Sequence, residues 1–188
     1  MINTHTFIAK LIHWTFIPLY AYGIFKQVDD LNELKDASLL NFEILFATVF
    51  LIIVLLRYFY MKDTPTLLGA YEDMPKGHLF IAKNVHRLVY FSLIMLPTTG
   101  LLIAGLLNLG VGGVKIAVTV HEFSAFLSYI VIALHVGASL YSRFKGEGLW
   151  NAMVPVWKET GKNKSNLIEK LEVIEKKVYK KIEDTFIK

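Results

Sequence analysis

The chain has 188 residues, 54% of them hydrophobic, and a mean hydropathy of +0.46; a soluble domain carries roughly 45–50% apolar residues even with glycine counted. The excess sits in four blocks, which excludes an ordinary globular enzyme, a disordered chain and a solenoid. No cysteine is present and the net charge is +4, so disulfides, zinc–thiolate sites, iron–sulfur clusters and thiol catalysis are excluded, and no nucleic-acid partner is expected.

A bilayer core about 30 Å thick takes a helix of roughly 20 apolar residues. The first block covers about residues 7–25 and carries Lys10 and His13. Trp14, Pro18, Tyr20 and Tyr22 interrupt it and no small-residue cleavage site follows, so it reads as a retained helix and not a signal peptide. The connection over 26–41 holds two lysines against four acids. The second block covers about 39–61, with Glu43 near its start and Arg57 near its end. The next connection holds Arg57, Lys62, Lys76 and Lys83. The third block, about 85–107, opens on His86 and Arg87. A link rich in glycine (Gly110, Gly112, Gly113) leads to the fourth, about 116–141, which carries His121 and His135. From Arg143 onward there are 11 basic residues.

A chain this short cannot hide four such helices from water, so a lipid bilayer is the expected solvent. The expected fold is all-α: a four-helix transmembrane bundle over 1–155, then a cytoplasmic tail over 156–188. Lysine and arginine concentrate on the cytoplasmic side of membrane proteins. That places the second connection and both termini in the cytoplasm. In the tail, Gly146 and Gly148 break the fourth helix, and Trp150, Pro155 and Trp157 suit the interface. Beyond Asn163, Leu167, Leu171, Ile174, Val178 and Ile182 recur at three- and four-residue spacing. This predicts an amphipathic helix of about five turns, with Asn166 and Glu169 as its capping box. It either lies on anionic lipid or docks a partner or a second copy.

His5 and His78 lie outside the apolar blocks. An ionisable residue within a membrane helix is costly and marks function. His13 lies about 9 Å into the first helix, and His135 lies at the same distance from the cytoplasmic end of the fourth. Two imidazoles at matched depth on antiparallel helices can meet across a bundle axis. His121 and His135 are separated by about 21 Å along one helix and by about 40° around it. That spacing suits two stacked haems, each taking an axial imidazole. A structural histidine that bonds across helices is the plainer reading, weighed most heavily for His86. The partner expected for His121 on the second helix falls at Glu43. Three readings stay open there: no outer haem, with Glu43 and His121 as a polar pair; a five-coordinate haem on His121; or Glu43 as a proton-handling group at an outer quinone pocket. Lys10, Arg57, Lys83 and Arg87 lie where they could neutralise the propionates of an inner haem, or serve only to orient the chain.

Several motifs resemble those of the bacterial cytochrome b561 / nickel-iron hydrogenase b-type subunit family. They are Ile12-His13-Trp14, Leu56-Arg57, His86-Arg87-Leu88-Val89-Tyr90, Leu96-Pro97-Thr98-Thr99-Gly100-Leu101, His121-Glu122 and Leu134-His135-Val136-Gly137-Ala138. The resemblance covers about residues 5–155. It implies a four-helix membrane cytochrome carrying haem b, one or two per chain, that passes electrons between a quinone pool and a redox partner. His13 and His135 resemble the inner haem's ligands and His121 one ligand of the outer. His86, with the basic residues above, falls near a propionate or a quinone. Where the family places its other outer ligand, this chain has Glu43. The implied partner is a dehydrogenase or hydrogenase subunit or a cytochrome c, in a respiratory chain. A stand-alone protein that oxidises superoxide and reduces quinone is equally consistent, as is a homodimer. The competing class is a haem-free small transporter or assembly factor with structural histidines.

Overall fold

The computed structural model describes residues 4–26, 28, 30–70, 72–159 and 165–187. Every regular element among them is helical: α1 (Phe7–Phe25), a 3-10 turn (Glu33–Lys35), α2 (Ala37–Met61), α3 (Lys76–Leu109), α4 (Val114–Lys145), α5 (Leu149–Met153) and α6 (Asn166–Phe186). The all-α expectation holds. Helices α2, α3 and α4 are long and apolar enough to cross a membrane. Helix α1 is not among them, because Lys10, His13, Pro18 and its two tyrosines dilute the apolar content of its 19 residues.

Local chemistry sets the helix ends. Asp36 caps α2 by accepting from the Ser38 N–H at 2.8 Å. Helix α3 begins at Lys76, well before the apolar block at 85, because Pro75 is pre-organised to precede a helix and His78–Lys83 form one without being uniformly apolar. Gly110 and Gly146 end α3 and α4 with left-handed φ of 63° and 73°. Behind them the Val111 N–H reaches the Leu106 carbonyl at 3.2 Å, and the Glu147 N–H reaches that of Ser142 at 3.3 Å. These are Schellman closures, which only glycine enters without strain. Helix α6 opens behind Ser165, whose side chain makes no capping bond. The capping box expected from Asn166 and Glu169 therefore gives way to an acidic first turn, where Glu169 opposes the helix dipole.

The chain divides into two compact units: residues 11–62 with 89–130, and residues 1–10 with 63–88 and 131–188. In the first, Phe16 of α1 packs on Phe50 of α2 at 4.8 Å between ring centroids. Tyr58 of α2 meets Tyr90 of α3 at 5.3 Å. Thr99 of α3 bonds His121 of α4 at 2.9 Å, and the Ser128 and Tyr20 hydroxyls join α4 to α1 at 2.7 Å. These contacts run α1 to α2 to α3 to α4 and back to α1. Ser92, Ser124 and Ser128 are buried, and each returns its hydroxyl proton to its own helix backbone. Small side chains of this kind let membrane helices approach closely. Leu45, Leu56, Phe91, Ile116, Phe123 and Phe126 are more than half exposed, an outward apolar surface suited to lipid and not to water.

In the second unit, α6 lies against the opening turns of α3 and the closing turns of α4. Tyr179 stacks on His78 at 5.1 Å and Phe186 on Phe80 at 5.7 Å. The Gly77 N–H donates to the Glu183 carboxylate at 2.7 Å. A Cβ at Gly77 would sit 2.5 Å from the Tyr179 carbonyl oxygen, so glycine is required for this approach.

Candidate functional site

The histidines singled out by the sequence fall into both units. In the first unit, His121 is half-buried on α4, and its Nδ1 lies 2.9 Å from Thr99 Oγ1. The Thr99 hydroxyl is also 2.8 Å from the Met95 carbonyl and 3.0 Å from that of Leu96. Its one proton goes to a backbone carbonyl, so its oxygen accepts and the His121 Nδ1–H donates. That fixes the tautomer and leaves Nε2 as the ring nitrogen with a lone pair for a metal. Gly100 flanks the ring: a Cβ there would lie 3.5 Å from Cε1, so the imidazole rests nearly on bare backbone.

Glu43 lies on α2 and accepts from Lys26 Nζ at 2.7 Å, both side chains being partly shielded. The Lys26 ammonium also sits 3.7 Å from the centre of the Phe42 ring, a cation–π contact. The polar pair allowed between Glu43 and His121 is therefore replaced by two separate partnerships, Glu43 with Lys26 and His121 with Thr99. An ion-paired carboxylate does not fit as an axial ligand of an electron-transfer haem, for which histidine or methionine is the usual donor. The imidazole of His121, with Nδ1 held, does fit.

His13 lies on α1 in the same unit, half-buried, with Trp14 edge-on at 6.0 Å. Arg57 on α2 meets the Tyr90 hydroxyl of α3. In the second unit, His135 of α4 has His86 of α3 beside it, ring centroids 5.0 Å apart and planes inclined by 59°. This contact was not legible in the sequence. The signal was present only as two histidines near the same ends of neighbouring spans. Lys10 is half-buried, while Lys83 and Arg87 are exposed.

The sequence also missed a cluster in the second unit. Lys145 at the end of α4 bonds Glu147 at 2.5 Å and Glu175 of α6 at 2.6 Å. Tyr141 and Tyr179 donate to the same Glu175 carboxylate, and a His78 ring nitrogen lies within 4.8 Å of both carboxylates. Burial alone would raise the Glu175 carboxyl, but bonds from Lys145 and Tyr179 outweigh it and hold the group below the usual carboxylate range. Burial, then the bond to Glu175, pushes the Tyr179 hydroxyl up, so it stays protonated. The ammonium already occupies the centre between the two carboxylates, so the cluster is an ionic latch for α6. Its members are too far apart in sequence for spacing to reveal them.

Neither a curated protein nor a solved structure matches the chain. Residues 4–156 match the family profile described as prokaryotic cytochrome b561, which takes in α1 to α5 and stops short of α6. With helices fit to cross a membrane and imidazoles held on them, the chain belongs to the prokaryotic cytochrome b561 family, membrane b-type cytochromes that bind haem and transfer electrons.

Proposed function

We propose that the protein passes electrons between a quinone pool and a redox partner through a haem held by His13 and His135 near the cytoplasmic face of a four-span bundle. In this reading α1 crosses the membrane as α2, α3 and α4 do, both termini are cytoplasmic, and the membrane is the bacterial inner membrane. The observation that carries the proposal is the family match over 4–156; within it His13 and His135 each fall six residues from the end of an apolar block that the reading assigns to the cytoplasmic side. When bound, the haem supplies a one-electron couple between ferrous and ferric iron. The chain fixes its ligation, its burial and the field around it. His13 and His135 would hold the haem iron, and His86, beside His135, would line the approach to a propionate or a quinone. Lys10, Arg57, Lys83 and Arg87 would offset the propionate charge. His121 has the tautomer of an axial ligand, but Glu43 stands where its partner belongs, so the proposal rests on the inner haem.

An optical spectrum of the purified chain tests this. A sharp reduced-minus-oxidised α-band is expected, abolished in His13→Ala and His135→Ala and retained in His86→Ala. A colourless protein after expression with ample haem would refute the proposal.

A further inference from the structure

The latch holds α6 by one side and leaves a second side bare. At about 100° per residue, Ile168, Glu175, Tyr179, Ile182 and Phe186 gather on one side, and through this side α6 reaches α3 and α4. The adjoining side gathers Leu167, Leu171, Ile174 and Val178, which are 39–66% exposed. The free edge of that stripe is lined by Lys170, Lys177 and Lys181, all exposed, with Asp184 the one acid beside them. An apolar row beside an edge of three lysines and one aspartate, net positive, matches a surface with a negative face and an apolar interior. A second copy would present the same lysines and add repulsion. From Glu175 to Phe186 the docking side grips the first turns of α3 and the last of α4, helices fit to cross a membrane, so this half of α6 lies near an end of those spans.

We infer that the Leu167–Leu171–Ile174–Val178 stripe is a docking surface for anionic lipid. The latch fixes its angle, the four apolar side chains enter the boundary between headgroups and acyl chains, and Lys170, Lys177 and Lys181 meet lipid phosphates. This depends on the chain being in a membrane and not on haem ligation.

The absence of native cysteine gives a clean test. Val178→Cys in the full chain is labelled with bimane and reconstituted in nanodiscs of phosphatidylcholine, alone or with phosphatidylglycerol. Lipid-borne nitroxide should quench the label with phosphatidylglycerol present, and aqueous iodide quenching should fall about twofold or more, because each lysine near an anionic surface adds attraction. Changing Lys170, Lys177 and Lys181 together to Gln should reverse both effects. The control pair Lys176→Gln with Lys180→Gln, on the opposite side, should not. Far-ultraviolet circular dichroism on each variant checks that α6 remains helical. Iodide access that is equal in both lipids would overturn the inference. So would protection that appears without phosphatidylglycerol and is accompanied by disulfide cross-linking between two unlabelled Val178→Cys chains, which would assign the stripe to a second copy.

Discussion

At the scale of single residues, the site is defined by what each imidazole is tied to. Thr99 gives His121 a fixed tautomer, and that tie was invisible in the sequence. Thr99 and Thr98 are adjacent hydroxyls in a helix, and only the rotation of α3 against α4 decides which of them faces the ring. Thr99→Val keeps the volume and removes the acceptor. A partly buried N–H left without this partner costs about 1 kcal/mol or more, so thermal unfolding in detergent should move down, while Thr99→Ser should unfold as the parent does. His86 teaches the same lesson from the other side. The sequence offered it a bond across helices without naming a partner, and its ring lies 5.0 Å from that of His135. Chain position sets the depth of a residue in a membrane helix, but contact depends on azimuth, which a single sequence leaves open.

At the scale of elements, the four long helices were legible because each is announced by an apolar run, and the ends of two of them by Gly110 and Gly146. Helix α6 was legible as a helix but not as a packed one. The repeating stripe from Leu167 to Ile182 pointed to a side for lipid, a partner or a second copy. Beside it the structure packs a neighbouring side, where Glu175 and Tyr179 find Lys145 and His78. Hydrophobic periodicity cannot foresee a docking surface built from an ion pair and stacked rings. Two outcomes follow. In Gly77→Ala the new Cβ meets the Tyr179 backbone, not a yielding side chain, so α6 must shift. Overpacking of this kind costs about 1–3 kcal/mol, and amide exchange across 166–186 should quicken while that of α2 is unchanged. The latch should also depend on pH. The Glu175 carboxyl is held below its ordinary value when docked, so docking is fully stabilised above that ordinary value, about 4.3. The stabilisation fades as pH falls through the lower docked value and the carboxylate takes up a proton. A spin label at Phe186→Cys should therefore become mobile only on acidification below about 4, and Glu175→Gln should leave it mobile at every pH.

At the scale of the whole molecule, the question is how far an electron can travel. Under the proposed ligation the inner haem stands at His135, and His121 lies about 21 Å farther along α4. A family pattern with histidine at position 43 would place a second haem there and complete a path across the bilayer. Here Glu43 is neutralised by Lys26, an arrangement suited to burying a carboxylate beside a membrane surface and not to binding iron. The prediction is one haem per chain and a single one-electron wave in a redox titration. Glu43→His would release Lys26 and supply the missing imidazole opposite a His121 whose Nε2 is already free to ligate. Haem content should rise from one to two per chain, and a second wave should appear, lost again in the double variant with His121→Ala. A count already at two in the parent, and unchanged by the substitution, would mean that the outer haem needs no histidine from α2. The path across the membrane would then be complete without it.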